Sequence, residues 1–143
     1  MPYIFKQKLN LSDLAGFATL PKRILIYEPE DYLAALYAHY LRQHNFDIKH
    51  CPNLSQVSEM IASFQPHLLI FCADGREAAF KASGLISTLS RRFPDLGLIT
   101  TARDLSRQGI KDLMDAGVLG HLNRGLSRPQ DIPVLVKTIL HQY

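Results

Sequence analysis

Residues 68–75 read LLIFCADG, an apolar run that ends in a thiol, Cys72, and releases a carboxylate, Asp74, two positions later. Each could do chemistry. A carboxylate at a strand end can serve a hard divalent cation, which takes oxygen ligands, or take part in phosphoryl transfer. A thiol becomes a nucleophile or redox switch where neighbouring positive charge lowers its pKa; otherwise a free cysteine behaves as a small buried hydrophobe. Other reactive constellations are missing from the sequence. The six histidines, at 39, 44, 50, 67, 121 and 141, have neither the paired spacing of a metal-binding helix nor a cysteine cluster beside them. No G-x-G-x-x-G, G-x-x-x-x-G-K-[ST] or nucleophile-elbow sequence occurs, so neither a nucleotide fingerprint nor a Ser/His/Asp triad is expected.

The elements that must position Cys72 and Asp74 alternate between two periods. RILIYE (23–28) is a short apolar run, and Leu33, Leu36, Tyr37, Tyr40 and Leu41 after it follow the helical period. FDIKHC (46–51) predicts a second strand, with Pro52-Asn53 opening a helix that carries Leu54, Val57, Ile61 and Phe64. HLLIFC (67–72) is the third strand, and Leu85, Ile86, Leu89 and Phe93 mark a third helix stopped by Pro94. LGLITT (96–101) is the fourth. Asp104 or Ser106 can cap the next helix, which has Ile110, Leu113 and Met114 on one face and ends at Gly117. VLGHL (118–122) is the fifth strand, and Pro133 falls in the first turn of a last helix bearing Leu135, Val136, Ile139 and Leu140.

Five short strands, each followed by a helix, cannot pair through hairpins. They predict an α/β fold with a doubly wound, five-stranded parallel sheet and helices on both faces. In such sheets the site lies beyond the carboxyl ends of the strands, which directs attention to residues 28–31, 72–75, 100–104 and 122–125. The 143-residue length suits one domain that buries roughly 70% of its extended-chain surface without staples. A composition of 47% apolar and 20% charged residues has no run long enough to cross a bilayer. MPYIFKQKLN lacks a signal-peptide core and there are only two cysteines, so a cytoplasmic location is expected, with no membrane partner. A net charge of +3 admits an acidic partner but falls short of a nucleic-acid footprint.

Across residues 22–142 the order and spacing of ILIYEPED, PHLLIFC, LITTA and DAGVLGHLNRGLSRPQD resemble the receiver domain of two-component response regulators. That resemblance implies a flavodoxin-like topology with strand order 2-1-3-4-5. It divides the chain into an amino-terminal extension, 1–20, and a receiver-like domain, 21–143. A family receiver has an acidic pair after the first strand, a phosphoaccepting aspartate ending the third, a Thr/Ser on the fourth and a Lys-Pro after the fifth. Matched to this chain, the acidic pair becomes Glu28 and Pro29, the acceptor Cys72, the hydroxyl Thr101, and the Lys-Pro becomes Arg124 and Gly125. Half of the constellation is gone, which makes this a degenerate, pseudo-receiver variant.

A thiol at 72 offers neither the oxygen nucleophile nor the oxygen ligand that phosphoryl transfer with Mg²⁺ requires, and Pro29 deletes one acid. No cofactor is expected; Mg²⁺ binding should be poor, with Glu28 and Asp74 as weak candidate ligands. Asp74 could turn into the pocket or stabilise a turn before Gly75. Glu30 and Asp31 fall in the first helical turn, where acids favour the dipole. Arg124 would be the cation nearest Cys72, and Glu28 would oppose its effect on the thiol. The resemblance places Cys51 and Cys72 on strands flanking a common neighbour, roughly 9.5 Å apart and beyond the reach of a bridge. The loop ADGREAAFKASG is about three residues longer than the family's, and REAAFKA has the composition of an extra helical turn.

The resemblance also points to the fourth helix, fifth strand and fifth helix as a binding or self-association face. Arg103, Arg107 and Lys111 are spaced to line one helix face, Arg128 follows the fifth strand, and His121 takes the place of the family's aromatic on that strand. An edge-strand histidine is expected to be half exposed. Residues 1–20 are too apolar for a plain disordered tail and should pack on the domain or on a partner. The reading is a phosphorylation-independent signalling and protein-interaction module, not an enzyme, with an acidic protein or a second copy as partner. The rival is a weakly active Mg²⁺-dependent phosphoreceiver using Glu28 and Asp74; a third reading is a thiol redox switch at Cys72.

Overall fold

Successive residues of a strand point to opposite faces, so a strand covered by helices on both sides must be apolar at every position. Leu68–Cys72 meets that requirement, Gly97–Ala102 departs from it only at Thr100 and Thr101, and both strands are buried throughout. The computed structural model describes residues 2–4, 20–74 and 76–140, with the backbone alone at 2–4 and 76–81. In chain order the elements are β1 (Pro2–Ile4), β2 (Arg23–Tyr27), α1 (Asp31–Arg42), β3 (Asp47–Cys51), α2 (Val57–Phe64), β4 (Leu68–Cys72), α3 (Arg76–Arg92), β5 (Gly97–Ala102), α4 (Arg107–Ala116), β6 (Gly120–Asn123) and α5 (Ile132–Leu140). Short 3₁₀ turns at Leu54–Gln56 and Pro129–Asp131 lead into α2 and α5.

The sheet runs β1-β6-β5-β4-β2-β3. The strands from β2 to β6 are parallel, and counted from Arg23 they have the expected order 2-1-3-4-5. Alternation then divides the core. Ile24, Ile26, Leu68, Ile70, Ile99 and Leu122 meet α1 and α5 on one face, while Leu25, Leu69, Phe71 and Leu98 meet α2, α3 and α4 on the other.

β1 is a sixth strand that the apolar pattern did not separate from the rest of the extension. It pairs antiparallel with β6, Tyr3 opposite His121 and Ile4 opposite Gly120, and covers the backbone edge that β6 would otherwise present. Part of the extension therefore packs on the domain; residues 5–19 lie outside the described residues. α3 begins at Arg76, so REAAFKA forms its opening turns.

α4 starts later than the charge spacing suggested. Ser106 caps it, its hydroxyl oxygen accepting from the Gly109 N–H at 3.1 Å, and Gly117 ends it at φ 113°, a left-handed conformation that favours glycine. Arg103 is left in the loop before the helix and does not share its face with Arg107 and Lys111. Of the three apolar residues assigned to one face, Leu113 is buried, Ile110 half-buried and Met114 exposed.

Candidate functional site

Parallel strands end together, so the residues just past β2, β4, β5 and β6 meet at one rim of the sheet. Glu28 follows β2 and Cys72 closes β4, level with Thr101 on β5. Alternation turns Glu28, Cys72, Thr101 and Arg124 toward the α1–α5 face, where Tyr37 of α1 is buried. The zipping continues past the strands. Ala73 N–H donates to the Thr101 carbonyl at 2.8 Å, Arg124 N–H to Ala102 at 2.7 Å and Gly125 N–H to Arg103 at 3.0 Å. A proline at 125 has no N–H to give, and a Cβ there would stand 2.9 Å from the Arg103 carbonyl oxygen, so glycine suits this closed rim.

Asp74 is the centre of the arrangement. Its Oδ1 accepts from the Arg103 N–H at 2.7 Å, and its Oδ2 accepts from the Arg124 guanidinium Nη2 at 2.5 Å and from the Cys72 thiol at 3.5 Å. One carboxylate thus ties together the loops after β4, β5 and β6. Partial burial pushes Asp74 upward, but the Arg103 N–H and the Arg124 guanidinium outweigh it and hold the carboxyl below its usual range. Asp74 neither stands free for a metal nor serves only a local turn.

Glu28 lies deeper. Its Oε2 accepts from the Glu30 N–H at 3.0 Å, while Oε1 stands 4.0 Å from Arg124 Nη1. Burial raises its pKa against the opposing pull of that N–H and of Arg124. Glu28 Oε1, Arg124 Nη1 and the Tyr37 hydroxyl are buried with no hydrogen-bond partner among the described residues. Tyr37 reads in the sequence as a core helix residue, and its periodicity carries no sign that its hydroxyl reaches this cluster. Pro29, Glu30 and Asp31 are exposed outside it.

Cys72 is buried beside two acids. Burial, with Glu28 and Asp74 adding to it, pushes the thiol up to about 12, so it is protonated at neutral pH in spite of Arg124. Cys51 is also a buried free thiol, its Sγ donating to the Asn53 carbonyl. Mg²⁺ asks for hard oxygen ligands with room for water. Here Arg124 is engaged with Asp74 and faces Glu28, and no group of three His, Cys, Asp or Glu that could hold a metal occurs among the described residues. The residues do not fit the ion.

On the interaction face, Arg103, Arg107, Lys111 and Arg128 are exposed. His121 differs from expectation: it is fully buried on a strand that is no longer an edge. Its Nδ1 lies 2.7 Å from the Thr100 hydroxyl, and burial lowers the ring to about 4. Thr100, not Thr101, is the hydroxyl it meets. At the opposite end of the sheet a groove of about 360 Å³ is lined by Ile61, Pro66, His67, Phe93 and Asp95, among others, none of them part of the Glu28–Asp74–Arg124 cluster.

No protein-family model and no curated protein sequence matches the chain. Solved structures do. A response regulator from Thermotoga maritima superposes with a TM-score of 0.77 at 14% identity, covering 85% of this chain and 99% of that one. An orphan response regulator of H. pylori gives 0.74 at 10% identity, covering 83% and 96%. An atypical orphan response regulator, described as having a phosphorylation-independent regulatory mechanism, gives 0.72 at 10% identity, covering 85% and 97%. At such identities the likeness establishes the fold, that of a CheY-like receiver. No helix among the described residues is long and apolar enough to cross a membrane.

Proposed function

We propose that this chain is a phosphorylation-independent, cytoplasmic signalling module: a pseudo-receiver that binds a protein partner and performs no phosphoryl transfer. The observation that carries this reading is Cys72. It closes β4 where the receiver chemistry needs a carboxylate, and its thiol is buried and protonated. The rim around it supports a single resting state. Backbone bonds join the ends of β4, β5 and β6, and Asp74 fastens the three loops from within.

The two rival readings have less support. A weakly active phosphoreceiver would need Asp74 free to serve a metal, yet Asp74 is committed to Arg124 and Arg103. A redox switch would need an exposed thiolate, and Cys72 is neither exposed nor easily ionised. For the partner, Arg107 and Lys111 on α4, with Arg128 ahead of α5, offer exposed positive charge that complements an acidic protein surface. Self-association through the same region would have to use helices, because β1 already occupies the β6 edge.

The test is direct. Incubated with acetyl phosphate and Mg²⁺, the wild-type chain should keep its unmodified intact mass. A stoichiometric phosphoryl adduct, labile to base as an acyl phosphate is, would overturn the proposal.

A further inference from the structure

We infer that the Arg124 guanidinium is a resident cation, spanning Glu28 and Asp74 where a divalent metal would otherwise be drawn in, and that taking it away uncovers an ion site. The inference deepens the pseudo-receiver reading, since it gives the two acids a cation that belongs to the chain itself.

Three features of the cluster lead there. First, one planar guanidinium addresses both acids: Nη2 is 2.5 Å from Asp74 Oδ2, and Nη1 is 4.0 Å from Glu28 Oε1. A lysine ammonium, a single point charge, could not present two donors in this fixed fork. Second, two of the three charges are poorly solvated. The Glu28 side chain is 3% exposed and that of Arg124 14%. Glu28 Oε1 is aimed at Arg124 Nη1 with no hydrogen-bond partner of its own among the described residues. A buried carboxylate in that position needs a cation or a proton.

Third, the acids are anchored independently of Arg124. Glu28 Oε2 is held by the Glu30 N–H and Asp74 Oδ1 by the Arg103 N–H. Removing the guanidinium therefore leaves two carboxylates in place, each with an oxygen facing the vacated volume. One or two carboxylates completed by water is the ligand set Mg²⁺ and Mn²⁺ accept.

Mn²⁺ titration, followed by electron paramagnetic resonance and calorimetry at neutral pH with no phosphodonor present, tests the inference on the full chain. The wild type should bind no Mn²⁺ in the pocket at millimolar concentrations. Arg124→Ala should bind one ion, with a dissociation constant on the order of 1 mM as for other lightly liganded oxygen sites. Adding Glu28→Gln should weaken that binding about tenfold or more. Arg124→Met keeps the bulk of the side chain without its charge and serves where the alanine variant is poorly folded. Mn²⁺ should raise the melting temperature of either variant and leave the wild type unmoved. Two results would overturn the inference: wild-type Mn²⁺ binding that is lost on Glu28→Gln, or a folded Arg124→Met that binds none. Neither measures phosphorylation, so a phosphoryl adduct on the wild type would defeat the proposed function separately.

Discussion

Polar side chains enter the core on both faces of the sheet near its carboxyl end, and each face accommodates them differently. Toward α1 and α5, Glu28, Asp74 and Arg124 form a charged cluster held by loops far apart in sequence; Arg124 and Asp74 are 50 residues apart. On the opposite face, by strand alternation, Thr100 and His121 make a neutral pair between adjacent strands. The charged cluster keeps a route to solvent through Asp74, whereas Thr100 and His121 are both fully buried. Buried ionised groups need partners, while a buried imidazole can give up its proton and remain as a neutral hydrogen-bonding ring. The receiver resemblance matches Thr101 to the family's hydroxyl and His121 to its strand aromatic. Here the sheet separates Thr101, beside the charged cluster, from His121, which pairs with Thr100.

Acid should separate the two regions, and this is the largest effect expected. His121 is lowered to about 4 from an ordinary 6.5, so its contribution to stability is present above 6.5 and is lost as pH falls toward 4. For a fully buried ring that loss is on the order of 3 kcal/mol. His67, whose Nδ1 accepts from the Arg23 N–H, is lowered to about 4 by burial and adds to the same window. Asp74 acts later: its pKa lies below the ordinary 3.8, so its contribution is complete above 3.8 and disappears as pH falls through the lowered value. Glu28 runs the other way. Its raised pKa means that protonation relieves a buried charge, which offsets part of the decline. Urea unfolding from pH 7 to 3 should show the histidine loss first, with the His121 ring titrating near pH 4 by NMR. A flat profile from pH 7 to 5 would mean that His121 is not held neutral.

Asp74→Asn breaks the charged region alone. The amide oxygen can still accept from the Arg103 N–H, but Arg124 loses the charge that compensates it in a half-buried setting. Breaking a fully buried pair costs several kcal/mol; with Asp74 39% exposed, water and salt recover part of it, leaving about 2 kcal/mol. Equilibrium unfolding measures that loss, and the acid limb assigned to Asp74 should vanish with it. A change below about 0.5 kcal/mol would place the ion pair among surface pairs of little consequence.

How far each region could be read from the sequence follows from the range of the interactions that make it. The parallel sheet was legible because ILI (24–26) and LLIFC (68–72) are apolar at every position, as cover on both sides requires. Topology brought the ends of β4, β5 and β6 together, and the receiver resemblance singled out Cys72, Thr101 and Arg124 among them. β1 was not legible: three residues carry no period, and their pairing with β6 is contact across nearly the whole chain. His121 was misjudged for the same reason, since a hidden strand converts an edge into an interior. The spacing of Arg103, Arg107 and Lys111 suggested one helix face, but the competition between Asp104 and Ser106 for the cap decided where the helix began. The partner of Asp74 was open because a carboxylate two residues past a strand satisfies a turn, a metal or an arginine equally well.

The smallest expected effect sharpens the contrast most, because it concerns a group with a hydroxyl that no described partner satisfies. Tyr37 is 1% exposed, its hydroxyl lies near Glu28, Arg124 and Thr101, and burial holds its pKa well above the usual value. If the hydroxyl contributes no hydrogen bond, Tyr37→Phe removes a buried polar atom while keeping the ring that packs with Ile24, Ile26 and Leu41 in the α1–α5 core. Stability should then change by less than about 0.5 kcal/mol or rise slightly, since an unsatisfied buried group is a cost in the native state. A loss of about 1 kcal/mol or more would show that the hydroxyl is bonded in solution, by Thr101 or by a water shared with Glu28 and Arg124. Combining Tyr37→Phe with Asp74→Asn distinguishes those two outcomes. A water held by the charged cluster would make the losses non-additive, whereas a bond to Thr101 alone would leave them additive to within about 0.5 kcal/mol.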